Sequence, residues 1–129
     1  MILIDTSAWV EFLRDTRSWQ CERVDALLEW ESAITDAIRM ELLAGARDDR
    51  HLHQLRGLVA RATALPTEPS DYDHAAAIYR GCRRSGETVC RLVDCLIAAV
   101  ALRHDAEVLH ADRDFEAIAR HTSLRVVSR

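Results

Sequence analysis

The stretch that decides the fold is Met-Ile-Leu-Ile-Asp-Thr-Ser-Ala-Trp-Val-Glu-Phe-Leu, residues 1–13. Its residues 2–4 are an apolar run of strand-forming side chains that is too short for a helix. Trp9, Val10 and Leu13 then recur at the spacing of one helical face. A short buried strand that leads directly into a helix predicts the repeating unit of a parallel α/β sheet.

The same alternation continues along the sequence. Short apolar runs predict strands over residues 2–4, 32–35, 63–65, 107–110 and 124–127. Helical spacing and capping residues predict helices over residues 7–14, 21–30, 36–46, 49–62, 70–84, 92–104 and 112–121. We therefore expect an α/β fold in which helices cover both faces of a central, mainly parallel sheet of four to five short strands.

Length and composition favour one folded domain. The chain has 129 residues, of which 49% are apolar and 29% charged, so a core can form over residues 1–129. No apolar run approaches the ~18 residues that span a bilayer, and no basic segment precedes residues 2–4. We expect no membrane association and a cytoplasmic protein whose four cysteines stay reduced.

The charged residues exclude several classes of enzyme. The net charge is -4, and all 17 basic residues are arginine, because the sequence has no lysine. This excludes P-loop and Schiff-base chemistry, both of which need a lysine side chain. Glu87 stands where segment 81–88, which has the spacing of a P-loop, would need that lysine. Structural zinc is disfavoured as well, since no C-x-x-C pair occurs among Cys82, Cys90 and Cys95.

Four acidic residues stand where strands end or helices are apolar. Asp5 directly follows the first strand, and Asp112 comes two residues after the fourth. Glu41 lies in the helix after the second strand, and Asp94 lies in the first turn of the almost wholly apolar helix over 92–104. Because ligand sites of such sheets lie beyond the carboxyl ends of the strands, we expect these four side chains to converge there.

Each acid alone also has an ordinary structural explanation. Asp5, Thr6 or Asp112 can cap a helix. Asp94 can interact favourably with a helix dipole, and Glu41 can be a solvated helix residue. Together they are harder to explain, because two carboxylates about 4 Å apart repel by about 4 kcal/mol at an effective dielectric of 20. A bound cation removes that repulsion, and a site of oxygen ligands alone favours Mg²⁺ or Mn²⁺.

Several segments carry a family resemblance, and in chain order they are Met-Ile-Leu-Ile-Asp5-Thr6-Ser7, Glu41, Gly86-Glu-Thr88-Val89, Val93-Asp94-Cys-Leu-Ile-Ala98 and Ala-Asp112-Arg-Asp114-Phe115. With these segments the sequence resembles the PIN-domain ribonucleases, and specifically the VapC toxins of bacterial toxin–antitoxin modules. The resemblance implies a three-layer α/β/α PIN-like fold and RNA cleavage that depends on Mg²⁺ or Mn²⁺. It also implies a homodimer and inhibition by a cognate VapB-type antitoxin.

The resemblance also implies roles for individual residues. The acids that hold the metal and carry catalysis would be Asp5, Asp94, Asp112 and, directly or through water, Glu41, with Asp114 as a candidate fifth acid. The supporting side chains would be Thr6, Ser7 and Thr88. The arginines near these acids, which either guide RNA or form a solvated face, are Arg80, Arg83, Arg84, Arg91 and Arg113.

The sequence departs from the family at His110, where Thr or Ser is common. Either His110 packs at the strand end, or it contacts RNA phosphate or a metal-bound water. Two other functions also stay open. A catalytically silent module of the same fold would bind only RNA or an antitoxin. A haloacid-dehalogenase-like phosphatase would use Asp5, but Ser7 stands where such enzymes need a second aspartate.

Overall fold

The computed structural model describes residues 1–88 and 91–129, so that Val89 of the family motif and Cys90 lie outside the described residues. Its sheet consists of β1 (Ile2–Ile4), β2 (Ser32–Thr35), β3 (Thr63–Leu65) and β4 (Glu107–Leu109). The strand order is β3-β2-β1-β4, and every pair is parallel. Ile2 lies opposite Ser32 on one side and Glu107 on the other, which makes β1 a central strand.

The helices of the described residues are α1 (Thr6–Leu13), α2 (Trp19–Leu27), α3 (Asp36–Ala44), α4 (Asp49–Val59), α5 (Pro69–Arg84), α6 (Leu92–Arg103) and α7 (Arg113–His121). Short polar side chains start several of them. Ser18, Thr35 and Asp48 each accept a hydrogen bond from a backbone N–H in the first turn of α2, α3 and α4. These caps explain why those helices begin where they do.

Helices cover both faces of the sheet. All four residues of β2 are buried, which requires a layer of side chains on each face. The core includes Leu3 and Ile4 of β1, and its largest fully buried side chains are Trp9 of α1 and Phe115 of α7. Helix α6 buries most of its surface, and it packs against α5 and α7. The result is the predicted α/β/α arrangement.

The predicted strand over 124–127 is wrong. In this segment only Val126 forms a bridge with β4, through Val108. The segment makes two backbone hydrogen bonds to β4, both with Val108. Leu124 and Val127 are buried against the core. The described sheet therefore has four strands, the lower number expected.

Several predicted ends also differ from the structure. Helix α2 ends at Leu27, so Trp30 lies beyond it and is 79% exposed. Helix α4 ends at Val59, before the predicted end. Cys21, Cys82 and Cys95 are buried thiols, as expected. Over the described residues, the helices are too short or too polar to cross a membrane.

Candidate metal centre

Three carboxylates form a close group at the end of the sheet. The side chains of Asp94, Asp112 and Asp114 each offer an oxygen atom, and these atoms all lie within 4.8 Å of one another. Asp94 stands in the first turn of α6, whereas Asp112 caps α7 and Asp114 lies in its first turn. The sequence predicted Asp94 and Asp112 as principal acids and Asp114 only as a fifth. In the structure Asp114 is a full member of the closest group.

Asp5 lies beside this group, at the end of β1. Its backbone N–H donates to the carbonyl of Leu109 at 2.9 Å, which extends the pairing of β1 with β4. Its Oδ2 accepts hydrogen bonds from the backbone N–H and hydroxyl of Ser7, at 3.0 and 2.6 Å. Its Oδ1 is buried, and no hydrogen-bond partner for it occurs among the described residues.

Burial raises the pKa of Asp5 above its ordinary value, and the nearby charge of Glu41 raises it further. Hydrogen bonds from Ser7 oppose this shift. A buried carboxylate oxygen without a partner is costly in a folded protein, and it calls for a ligand.

The hydroxyl of Ser7 joins two distant parts of the site. It donates to Asp5 and accepts a hydrogen bond from the backbone N–H of Ala111 at 2.9 Å. Ala111 immediately precedes Asp112, so this one hydroxyl ties the end of β1 to the loop after β4. The sequence predicted Ser7 as a supporting residue, but no local pattern shows a contact across 104 positions.

Glu41 approaches the site from α3. Its Oε1 accepts a hydrogen bond from the hydroxyl of Thr6 at 2.9 Å, and its side chain is half-buried. The charge of Glu41 acts on both Asp5 and Arg91. Glu41 therefore faces the acids that the sequence predicted it would join, and Thr6 holds it there.

Asp94 is the most strongly perturbed acid of the site. Burial raises its pKa to about 7, and a hydrogen bond with Asp114 and the charge of Asp5 act in the same direction. Hydrogen bonds and charge from Arg91 oppose the rise. Asp94, Asp114 and Asp5 thus share one electrostatic environment, in which three full negative charges are unfavourable without a cation.

Arg91 supplies a cation to this environment. Its Nε and Nη2 donate to Oδ2 and Oδ1 of Asp94, both at 3.3 Å. Its backbone N–H also donates to Oδ2 of Asp114 at 3.3 Å. The sequence predicted Arg91 as an RNA-contacting residue and missed its contact with Asp94. The spacing of three positions within one helical turn was the available signal.

His110 packs at the end of β4, as the packing alternative expects. Its ring lies 5.4 Å from that of Phe115, and its Nδ1 accepts a hydrogen bond from the backbone N–H of Asp112 at 3.1 Å. Its Nε2 lies 3.2 Å from Oε1 of Glu116. His110 therefore supports the loop that carries Asp112.

The remaining predicted residues are exposed on the surface. Thr88 is exposed and lines a depression with Tyr79, Arg83 and Glu87. Arg83 also lies over the ring of Tyr79, 5.7 Å from its centroid. The other exposed arginines predicted for RNA contact are Arg80 and Arg84 in the last turns of α5 and Arg113 at the start of α7. Among these five arginines, Arg91 is the one with a described contact to a site acid.

The two explanations of these acids, helix capping and metal binding, are compatible with one another. Asp5 caps α1 through Oδ2, and Asp112 caps α7 through Oδ1. Capping leaves Oδ1 of Asp5 without a partner and leaves the mutual repulsion of Asp94, Asp112 and Asp114 in place. A hard divalent ion takes carboxylate oxygens as ligands, so this donor set fits Mg²⁺ or Mn²⁺.

Comparison with known proteins identifies the family. Residues 2–121 match the sequence profile of the PIN domain, so the chain belongs to the PIN-domain family. Within that family, its relatives are VapC proteins. Ribonuclease VapC11 of Mycobacterium tuberculosis is 48% identical over 132 residues, which cover 99% of this chain and 98% of the relative. A VapC ribonuclease of Mycobacterium bovis matches equally well. The family match decides against the phosphatase alternative.

Solved structures show the same fold. The VapBC2 structure from Rickettsia felis, bound to a promoter DNA fragment, contains a chain that superposes with a TM-score of 0.78 at 16% identity, covering 98% of both chains. VapBC-1 from nontypeable Haemophilus influenzae gives a TM-score of 0.78 at 20% identity, covering 99% of this chain and 98% of the other. These matches confirm the three-layer α/β/α fold.

Proposed function

We propose that this protein is a Mg²⁺- or Mn²⁺-dependent endoribonuclease, the toxin of a VapBC-type toxin–antitoxin module. One domain over residues 1–129 would carry the activity in the cytoplasm. The proposal is supported by VapC ribonucleases that are 48% identical over nearly the whole chain. The observation that carries it is the group of Asp94, Asp112 and Asp114 beside the unpartnered Oδ1 of Asp5.

The acids would divide the work by position. Asp5, Asp94 and Asp112 would hold the ion, and Asp114 would join them because it lies in the closest group. Glu41 would accept a proton at the edge of the site, since it is half-buried and reachable from solvent. When bound, a divalent ion lowers the pKa of a coordinated water and neutralises charge that develops on the scissile phosphate.

Other residues would hold these acids in place. Thr6 orients Glu41, and Ser7 fixes Asp5 relative to the loop that carries Asp112. His110 braces the same loop through the backbone N–H of Asp112. Placement of this kind matters because catalytic geometry tolerates shifts of only about 0.5 Å.

The RNA must approach a negatively charged site. The exposed arginines would supply phosphate contacts on either side of it: Arg80, Arg83 and Arg84 from α5, and Arg113 from α7. Such contacts position the backbone of an RNA without reading its sequence.

Asparagine substitutions test the proposal because asparagine keeps the size of aspartate and can still cap a helix. We expect Asp5→Asn, Asp94→Asn and Asp112→Asn each to lower RNA cleavage at least a hundredfold while RNA binding stays within a few-fold. Cleavage and binding would be measured with a labelled RNA at about 1 to 10 mM Mg²⁺, a range suited to a weakly held hard ion.

Asp48→Asn is the matched control for these variants. Asp48 caps α4 through the backbone N–H of His51 at 2.7 Å and has no part in the acidic site. Its substitution should leave cleavage within twofold. A wild-type protein that binds RNA but never cleaves it, with or without divalent ions, would support the silent-module alternative. Near wild-type cleavage by Asp94→Asn would contradict the metal-nuclease mechanism.

A further inference from the structure

The contact between Arg91 and Asp94 joins an exposed side chain to a buried one. The Arg91 side chain is 61% exposed, whereas that of Asp94 is 1% exposed. The guanidinium engages both oxygen atoms of Asp94 at the same time. It therefore covers the buried carboxylate from the solvent side.

The charge of Arg91 also acts on more than one acid. The pKa of Arg91 is raised, first by its hydrogen bonds to Asp94 and then by the charge of Asp94. The charges of Glu41 and Asp112 add smaller contributions in the same direction. The guanidinium thus lies where it partly neutralises Asp94, Glu41 and Asp112.

A guanidinium and a divalent ion compete for the same carboxylate. Each carboxylate oxygen has two lone pairs, so both cations could contact Asp94, but they would then lie only a few ångströms apart and repel one another. The hydrogen bonds from Arg91 engage both oxygens of Asp94. Binding of a divalent ion to Asp94 therefore favours the release of Arg91.

We propose that Arg91 is an internal substitute for the divalent ion: it occupies Asp94 in the metal-free protein and leaves that carboxylate when the ion binds. This inference rests on the proposed metal site. Arg91 is then a positioning residue that keeps the acids together before the metal arrives. It weakens metal binding, because the ion approaches against the repulsion of the guanidinium charge.

Arg91→Gln tests this competition directly. We expect Mn²⁺, titrated calorimetrically into the purified protein, to bind Arg91→Gln at least tenfold more tightly than wild type. We expect the melting temperature of the metal-free variant to fall by several degrees, because buried Asp94 loses its cation. Arg113→Gln is the matched control, since Arg113 is exposed, adjoins Asp112 and carries the same charge. Its Mn²⁺ affinity should stay within threefold of wild type.

The wild-type protein offers a second measurement that needs no variant. The Nε–H of Arg91 should give a hydrogen-bonded signal in ¹H–¹⁵N spectra of the metal-free protein, and Mg²⁺ should shift or broaden it. An unchanged signal at saturating Mg²⁺ would overturn the inference, as would equal effects of Arg91→Gln and Arg113→Gln. Both results would leave the proposed nuclease intact if wild type binds Mn²⁺ and cleaves RNA. A wild type that binds no divalent ion would overturn both proposals together.

Discussion

At the scale of single residues, the buried carboxyl of Asp94 contributes to how the stability of the metal-free protein responds to pH. Its pKa rises to about 7 because of burial, so the folded protein keeps a proton that the unfolded chain loses near pH 4. Between these values the folded state binds more protons than the unfolded state. The contribution of Asp94 to stability therefore falls as the pH rises from about 4 to 7.

Asp94→Asn should remove this dependence. We compare the free energy of unfolding at about pH 4.5 and about pH 7.5, on either side of the titration. Over this range we expect that of the metal-free wild type to fall by about 2 to 4 kcal/mol more than that of the variant. Urea denaturation in the presence of a chelator measures it. Asp48→Asn, a capping variant outside the site, should keep the wild-type dependence. Parallel curves for wild type and Asp94→Asn would contradict the shifted pKa.

Ser7 is a second residue whose effect is local and measurable. Ser7→Ala removes a hydrogen bond to Asp5 and the acceptor for the Ala111 N–H. We expect a loss of about 1 to 2 kcal/mol in the free energy of unfolding and Mn²⁺ binding weaker by about three- to tenfold. Ser85→Ala is the control, because the exposed Ser85 hydroxyl donates to the Gly81 carbonyl within its own helix turn, at 3.0 Å. Equal effects of both variants would remove the link between Ser7 and the site.

At the scale of elements, a charged clamp fixes α5 against α6. Arg103 of α6 donates from Nε and Nη2 to the two oxygens of Asp71 in α5, both at 2.9 Å. It also donates to the carbonyl of Pro66, after β3, at 2.6 Å. Because α6 carries Asp94, this clamp contributes to the position of the site.

Asp71→Asn should loosen the clamp and destabilise the protein by about 1 to 3 kcal/mol at neutral pH, since buried Asp71 would lose its charge-assisted hydrogen bonds with Arg103. The hydrogen bond from Arg103 lowers the pKa of Asp71, so its stabilisation is present above about pH 4 and is lost as the pH falls through the depressed value. Thermal unfolding at pH 7 measures the difference. Asp73→Asn, on the exposed face of α5, should change stability by less than about 0.5 kcal/mol.

At the scale of the whole molecule, a groove leads from the acids toward α4. Its volume is about 440 Å³, and its lining includes Thr6 and Glu41 from the site. Apolar side chains, among them Val10 and Leu13, line it further along, and the exposed Arg14 stands at its rim. We expect the proposed VapB-type antitoxin to pack the apolar face of a helix into this groove and thereby to cover the site.

Leu13→Asp should weaken antitoxin binding at least tenfold, because Leu13 is 42% exposed and its substitution puts a charge into the apolar groove. RNA cleavage by the isolated toxin should stay within twofold. Calorimetry with the cognate antitoxin measures binding, and light scattering measures whether the toxin is the expected homodimer. Tyr72→Asp is the control, since Tyr72 is exposed on α5 away from the groove. Equal weakening by both variants would place the antitoxin elsewhere.

The sequence by itself determined the order of the elements and the principal acids. The four strands and the helices follow from apolar spacing and caps, which act over a few residues. Asp5 and Asp112 follow from their places just after strands of a parallel sheet, where ligand sites lie. Glu41 was among the four acids that their places in the predicted elements brought together, and the structure brings its side chain to Thr6 at the site edge.

Only the tertiary structure decided the contacts within the site. It brought Ser7 to Ala111, placed Asp114 in the closest acidic group and turned Arg91 onto Asp94. It also reduced the predicted strand over 124–127 to a single bridge. Each of these outcomes depends on where distant segments pack and on which polar atoms burial leaves in need of a partner. Local periodicity carries no information about either.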